Sequence, residues 1–190
     1  MLVLKHPVAG FCISLALMVV LALSSSGVVF ADSTTGTATV TAGTLTETNA
    51  TTPTSSVTLN GTDQTATYTL AITANDATGS GSGWNLTITS TTFTTDTPVH
   101  TLATTASSLT GVTAVCVTST TCTNPTNAIT YPVAVPANAT APTAVKFFNA
   151  ATTTGMGKFT VTPTISISIP ANTYTGTYTS TITLAVVSGP

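Results

Sequence analysis

Apolar side chains recur at every second position along much of the chain, and this spacing restricts the fold more than any other feature. In "TATYTLAIT" the residues on one face are Ala66, Tyr68, Leu70 and Ile72. Such alternation is typical of a β-strand with one buried face. Turn signals such as "LNGTD" and "NDATGSGSG" separate these segments, and no segment has sustained helical spacing. The sequence therefore predicts an all-β protein, a single antiparallel β-sandwich of about 7–9 strands.

The start of the chain has the pattern of a secretory signal peptide. Lys5 precedes an apolar run from Phe11 to Leu23, and small residues occupy Val29 and Ala31 in "VVFA". The run is too short for a membrane-spanning helix. We expect cleavage after Ala31, which makes residues 1–31 a signal peptide and residues 32–190 one surface domain without a transmembrane segment. An uncleaved N-terminal anchor is the alternative.

Few side chains of the predicted mature chain are charged. Its only basic residues are Lys146 and Lys158, against five acidic residues in the whole sequence. Nucleic-acid binding requires clustered Lys and Arg, so we expect no nucleic-acid partner. Threonine, which is β-branched and carries a hydroxyl, takes the place of charged residues on the polar strand faces. A disordered stalk is an alternative only for "TTGTATVT" and "TETNATTPTSS".

No set of residues marks a catalytic centre. The predicted mature chain has one histidine, His100, with Asp96 four residues earlier in "TTDTPVH". No Gly-x-Ser-x-Gly elbow marks a nucleophile, the acids are scattered, and soft metal ligands are few. A solvated loop histidine is the favoured interpretation. We expect no enzyme activity, no catalytic residue, no metal site and no cofactor.

Two cysteines remain after the predicted cleavage, in "AVCVTSTTC". An even number of cysteines in an exported chain indicates a disulfide, here between Cys116 and Cys122. Two free thiols or a metal pair are the alternatives.

The only tryptophan, Trp84, begins an alternating segment after a glycine-serine run, in "DATGSGSGWNLTITSTTF". Its neighbours on the same face are Leu86 and Ile88, which favours a core position, because a large ring buries much apolar area. An exposed aromatic platform for a sugar or a protein partner is the alternative.

The segment "GSGWNLTI" resembles the Trp-x-Leu signature of the WxL family of bacterial cell-surface proteins. The motif residues are Trp84, Asn85 and Leu86, and the Gly-rich approach to them consists of Asp76, Gly79, Gly81 and Gly83. The segment "TVTAGTLT" is similar to the family's opening strand. The end of the chain resembles the family's C-terminal block through Gly155, Gly157, Tyr178, Leu184 and Val186. The last two stand where the family usually carries a second Trp-x-Leu.

The resemblance implies a non-catalytic, secreted domain on the cell surface. Such a domain would associate non-covalently with a cell-wall polymer (peptidoglycan) or with a partner surface protein. The alternative function is a self-assembling pilus or surface-layer subunit, in which N-terminal residues 32–43 add as a strand to the sheet edge of a neighbour.

Overall fold

A computed structural model describes residues 35–49 and 52–190. The predicted signal peptide, residues 1–31, lies outside the described residues. The chain divides into two units, Met1–Val40 and Thr41–Pro190. Of the first unit only residues 35–40 are described, and they are exposed and belong to no strand. All strands named below lie in the second unit.

The described residues form strands joined by turns and loops, with no helix, and the all-β prediction is confirmed. Two of the ten strands are only two residues long, and the other eight have five residues or more. The strands are β1 Leu45–Asn49, β2 Gln64–Thr69, β3 Ile72–Asp76, β4 Trp84–Thr91, β5 Ser107–Cys116, β6 Val133–Ala134, β7 Ala137–Asn138, β8 Val145–Ala150, β9 Gly157–Ile169 and β10 Ile182–Ser188.

The strands form the two sheets of a sandwich. The first sheet has the order β1-β3-β9-β5-β6, and β2 also pairs with β9. The second has the order β10-β4-β7, and β8 also pairs with β4. All pairs are antiparallel except β4 with β7. The thirteen-residue strand β9 organises the first sheet, because β2 and β3 pair with successive halves of it while β5 pairs along most of its length.

Two predicted strands differ from the observed ones. The alternation from Ala66 to Ile72 is divided between β2 and β3, which both pair with β9. Of "TVTAGTLT", only the end belongs to β1, which begins at Leu45. The final strand begins at Ile182, after a turn in which the Tyr178 hydroxyl donates to the Tyr174 carbonyl oxygen (3.0 Å).

The apolar faces of the two sheets meet in a main core. Strands β4 and β9 supply its centre with fully buried side chains, among them Trp84, Leu86, Ile88, Phe159, Val161 and Ile165. Burial of each such side chain contributes about 1.5–3 kcal/mol relative to exposure. A smaller second cluster consists of Ala66, Leu102, Ala106, Ile167 and Ile169, with Tyr68, Phe93 and Tyr178 packed against it.

Candidate functional site

The tryptophan of the Trp-x-Leu motif lies in the main core. Trp84 is the first residue of β4 and has no exposed surface. Its ring packs between two phenylalanines, with centroid distances of 5.7 Å to Phe148 and 6.5 Å to Phe159. Of the two interpretations that the sequence left open, the structure selects the core residue over the exposed platform.

The indole also makes a hydrogen bond to a distant turn of the chain. Trp84 Nε1 donates a hydrogen bond of 2.8 Å to the carbonyl oxygen of Gly155. Gly155 has φ +73°, which favours glycine, and a Cβ there would lie 2.7 Å from Trp84 Nε1 and overlap the Ala150 side chain. Only a residue without a side chain lets this backbone approach the ring so closely. The glycine of the C-terminal block and the tryptophan of the motif therefore form one structural unit.

The acidic residue of the Gly-rich approach starts a turn. Asp76 ends β3 and is buried, and its Oδ1 accepts hydrogen bonds from the amide (3.0 Å) and the hydroxyl (2.6 Å) of Thr78. A short acidic side chain that binds the backbone two residues ahead stabilises such a turn. Gly79 follows with φ +65°, and a Cβ there would meet no other atom within 4 Å. The residue types of this segment are thus explained by turn geometry.

The next two glycines connect the approach to the rest of the sandwich. The carbonyl oxygen of Gly81 accepts from the Thr153 amide (2.7 Å), and that of Gly83 accepts from the Gly189 amide (3.0 Å). Gly83 has φ +74°, and a Cβ there would overlap the Ala150 carbonyl oxygen. Close backbone approach therefore demands glycine immediately before the motif.

The remaining motif residues join β4 to the C-terminal strand. Asn85 is buried, and its Nδ2 donates to the Gly189 carbonyl oxygen (2.7 Å). Leu86 is fully buried and pairs with Val186 across β4 and β10, and Leu184 pairs in turn with Ile88. The two C-terminal residues that occupy the place of a second Trp-x-Leu thus lie directly beside the strand of the first.

A disulfide joins Cys116, the last residue of β5, to Cys122. The closed loop packs onto the turn from Gly155 to Gly157. A Cβ at Gly157 would lie 2.9 Å from the Thr121 carbonyl oxygen and 3.1 Å from Cys122 Cα. The bridge therefore belongs to the same end of the sandwich as Trp84.

Tyr178 lies away from the end of the sandwich that contains Trp84. Its neighbour Thr179 bridges to Thr94, beyond the far end of β4 from Trp84, and Tyr178 packs on the second cluster. The structure thus brings the motif, the glycines and the disulfide together at one end, and it separates Tyr178 from them.

Sequence reasoning missed a cleft beside the second cluster. This aromatic cleft has a volume of about 930 Å³ and is lined by Tyr68, Phe93 and Tyr178, apolar residues beneath them, and rims at residues 52–57 and 176–182. Burial raises the pKa of Tyr68 to about 12. A side pocket of about 250 Å³ shares Leu102 and Tyr178 with the cleft. The residues that line the aromatic cleft are too far apart in the sequence for any local pattern to reveal the cleft.

His100 lies in the side pocket and stacks on Tyr174, with ring centroids 3.9 Å apart and planes inclined by 8°. Asp96 is exposed in the preceding loop. Among the described residues no group of three or more His, Cys, Asp or Glu side chains is arranged to hold a metal ion. The described part also contains no helix long and apolar enough to cross a membrane.

Comparison with known proteins gives one match. A family model described as "WxL domain surface cell wall-binding" matches residues 25–190. A search of curated proteins found no match. A search of solved structures found none either.

Proposed function

The chain belongs to the WxL family of surface cell-wall-binding domains, and from that membership we propose that it is a non-catalytic secreted domain associating non-covalently with wall peptidoglycan or a partner surface protein. The match over residues 25–190 is the observation that carries this proposal. The proposal includes export by a signal peptide cleaved after Ala31 and one domain over residues 32–190. N-terminal sequencing of exported protein that began upstream of residue 25 would contradict that export route.

The buried tryptophan bears on how such a domain would bind. Trp84 has no exposed surface, and its Nε1 is already bonded to Gly155. A side chain in this state holds the fold and offers no surface to a polymer. Wall contacts would therefore come from other residues, with Trp84 acting only through stability.

The low charge of the chain argues against electrostatic binding to the wall. Lys146 and Lys158 are exposed, and Lys146 Nζ already donates to the Pro190 carbonyl oxygen (2.7 Å). Two separate lysines provide little attraction for an anionic polymer. Hydroxyl, backbone and aromatic contacts would supply the affinity.

The salt dependence of binding tests this mechanism. Ionic attraction between exposed groups is screened as the Debye length falls from about 10 Å at 0.1 M salt to about 3 Å at 1 M, whereas apolar contacts persist. Residues 32–190 should therefore stay on isolated walls in about 1 M sodium chloride and be released by denaturant. The Lys146→Gln, Lys158→Gln double variant should bind as the unmodified protein does. Elution at moderate salt, or loss of binding in that variant, would contradict the mechanism.

A second candidate function is self-assembly by strand exchange. Residues 35–40 are exposed and belong to no strand, and Val40 is 94% exposed in an alternating Thr/Ala/Val sequence. An extended segment of this kind could pair with an open sheet edge of a neighbouring copy. Size-exclusion chromatography should then show oligomers that disappear when residues 32–43 are deleted. A monomer of unchanged elution volume with or without the segment would refute this candidate.

A further inference from the structure

We propose that the aromatic cleft and its side pocket form a binding site for an uncharged glycan chain, the sugar backbone of the wall polymer. The inference rests on the proposed wall association and adds the part of the polymer that is recognised and the surface that recognises it. It places the ligand at Tyr68, Phe93, Tyr174 and Tyr178, far from the motif that names the family.

The distribution of aromatic residues points to this surface. Beyond residue 34 the chain has nine Phe, Tyr and Trp residues. Four are buried in the main core: Trp84, Phe147, Phe148 and Phe159. Four of the other five meet at the aromatic cleft and its side pocket: Tyr68, Phe93, Tyr174 and Tyr178. A chain so poor in aromatic residues places nearly all of those outside its core around one site.

The chemistry of the lining matches a neutral sugar. Within the described part of the chain, no Asp, Glu, Lys, Arg or His lines the aromatic cleft. Its rims carry hydroxyl side chains on both sides, among them Thr54, Ser55, Thr177, Ser180 and Thr181. Aromatic faces pack against the C–H faces of pyranose rings, and hydroxyl groups exchange hydrogen bonds with sugar hydroxyls. A charged ligand would find no counter-ion in the aromatic cleft, and nucleic acid would lack its basic contacts there.

The volume and floor suit a ligand site. About 930 Å³ lies within the range of about 300–1,000 Å³ usual for ligand clefts. The floor is formed by the buried side chains of Ile167, Ile169 and Leu102, which belong to the second cluster. Ile167 and Ile169 belong to β9, which pairs with β2, and the Leu102 amide is bonded to the Phe93 carbonyl oxygen, so the floor is ordered before any ligand arrives.

Tyr174 provides an exposed face next to the cleft. It is 65% exposed, and its ring is held parallel to the imidazole of His100. The Tyr174 carbonyl oxygen accepts a hydrogen bond from the Tyr178 hydroxyl. The backbone of Tyr174 is therefore bonded to Tyr178, the tyrosine that lines both the cleft and the side pocket. A ring ordered in advance loses little conformational entropy when a sugar packs on it.

Isothermal titration of residues 32–190 with the uncharged pentamer of N-acetylglucosamine tests the site without peptide stems. Tyr174→Ala should raise Kd by about five- to tenfold, the equivalent of losing one aromatic contact. Tyr174→Phe keeps the ring and should bind nearly as the unmodified protein does. The matched control is Val115→Ala, which truncates a side chain 63% exposed on β5 and should leave Kd unchanged.

The outcomes separate this inference from the proposed function. Failure of the unmodified protein to sediment with isolated walls would overturn wall association. Sedimentation with walls but no heat of binding with the pentamer would overturn the glycan site and leave wall association standing. Equal Kd for the unmodified protein and Tyr174→Ala would also overturn it. Melting temperatures of all variants should agree with the unmodified protein, since each altered side chain is exposed.

Discussion

Replacement of Trp84 by alanine tests whether the motif tryptophan is a structural residue. The indole is fully buried against Phe148 and Phe159, so the substitution empties a large site in the main core. Emptying an aromatic site of this kind costs about 3–5 kcal/mol. The Gly155 carbonyl oxygen also loses its partner, and an unsatisfied buried group costs about 1–3 kcal/mol. We expect the upper end of the first range, about 5 kcal/mol.

A loss of this size is large for one domain. Domains are stable by about 5–15 kcal/mol, and a domain of this length loses about 2–4 °C of melting temperature per kcal/mol. Trp84→Ala should therefore lower the melting temperature by about 10–20 °C. Trp84→Phe keeps most of the apolar volume and removes the Nε1 donor, so it should cost about 2–3 kcal/mol.

Urea unfolding of residues 32–190, followed by far-ultraviolet circular dichroism, measures both losses. Tryptophan fluorescence is unsuitable because both substitutions remove the only tryptophan of the chain. Val187→Ala is the control, since Val187 neighbours Asn85 in the same strand pair but is 45% exposed. It should change the free energy of unfolding by less than about 0.5 kcal/mol.

One result would refute the structural role. If Trp84→Ala unfolds at the same urea concentration as the unmodified protein but no longer binds walls, the indole contacts the ligand directly. A loss of wall binding that accompanies the loss of stability, and that is restored at lower temperature, is the result expected here.

Two further predictions concern the disulfide and a half-buried acid. Reduction of the Cys116–Cys122 bridge should lower the free energy of unfolding by only about 2 kcal/mol, because the closed loop is short; complete unfolding on reduction would contradict this, and intact-mass analysis should show no free thiol. Burial raises the pKa of Glu47, whose Oε2 has no hydrogen-bond partner among the described residues. The folded chain therefore holds this proton more tightly than the unfolded chain does, and stability falls as pH rises from the ordinary value through the raised one. Glu47→Gln should remove this loss at pH values above the ordinary carboxyl pKa, and an unchanged dependence of melting temperature on pH would show a solvated carboxylate.

The sequence by itself determined the fold class, because period-two alternation decides which face of each strand is buried. It also indicated the core position of Trp84, since the alternation places Leu86 and Ile88 on the same face, and all three are buried. The even number of cysteines after the predicted cleavage pointed to the bridge between Cys116 and Cys122, which is local in the chain. The family resemblance rested on "GSGWNLTI", and the family match confirms it.

The alternation of apolar residues does not determine which strands pair with each other, so the tertiary structure decided the pairing. It divided one predicted strand into β2 and β3, because the length of β9 accommodates both along one edge. It also set the start of the final strand at Ile182, after the turn in which the Tyr178 hydroxyl bonds to the Tyr174 carbonyl oxygen.

The candidate site shows most clearly which features the sequence determined and which only the tertiary structure decided. The sequence marked Trp84 and Gly155 separately, but they are 71 positions apart, and only the packing of the sheets joins the indole to that carbonyl oxygen. Tyr68 and Tyr178 meet at the aromatic cleft for the same reason. Local physical chemistry decides which face of a strand is apolar. Which distant residues come into contact depends on the free energy of the whole packed sandwich.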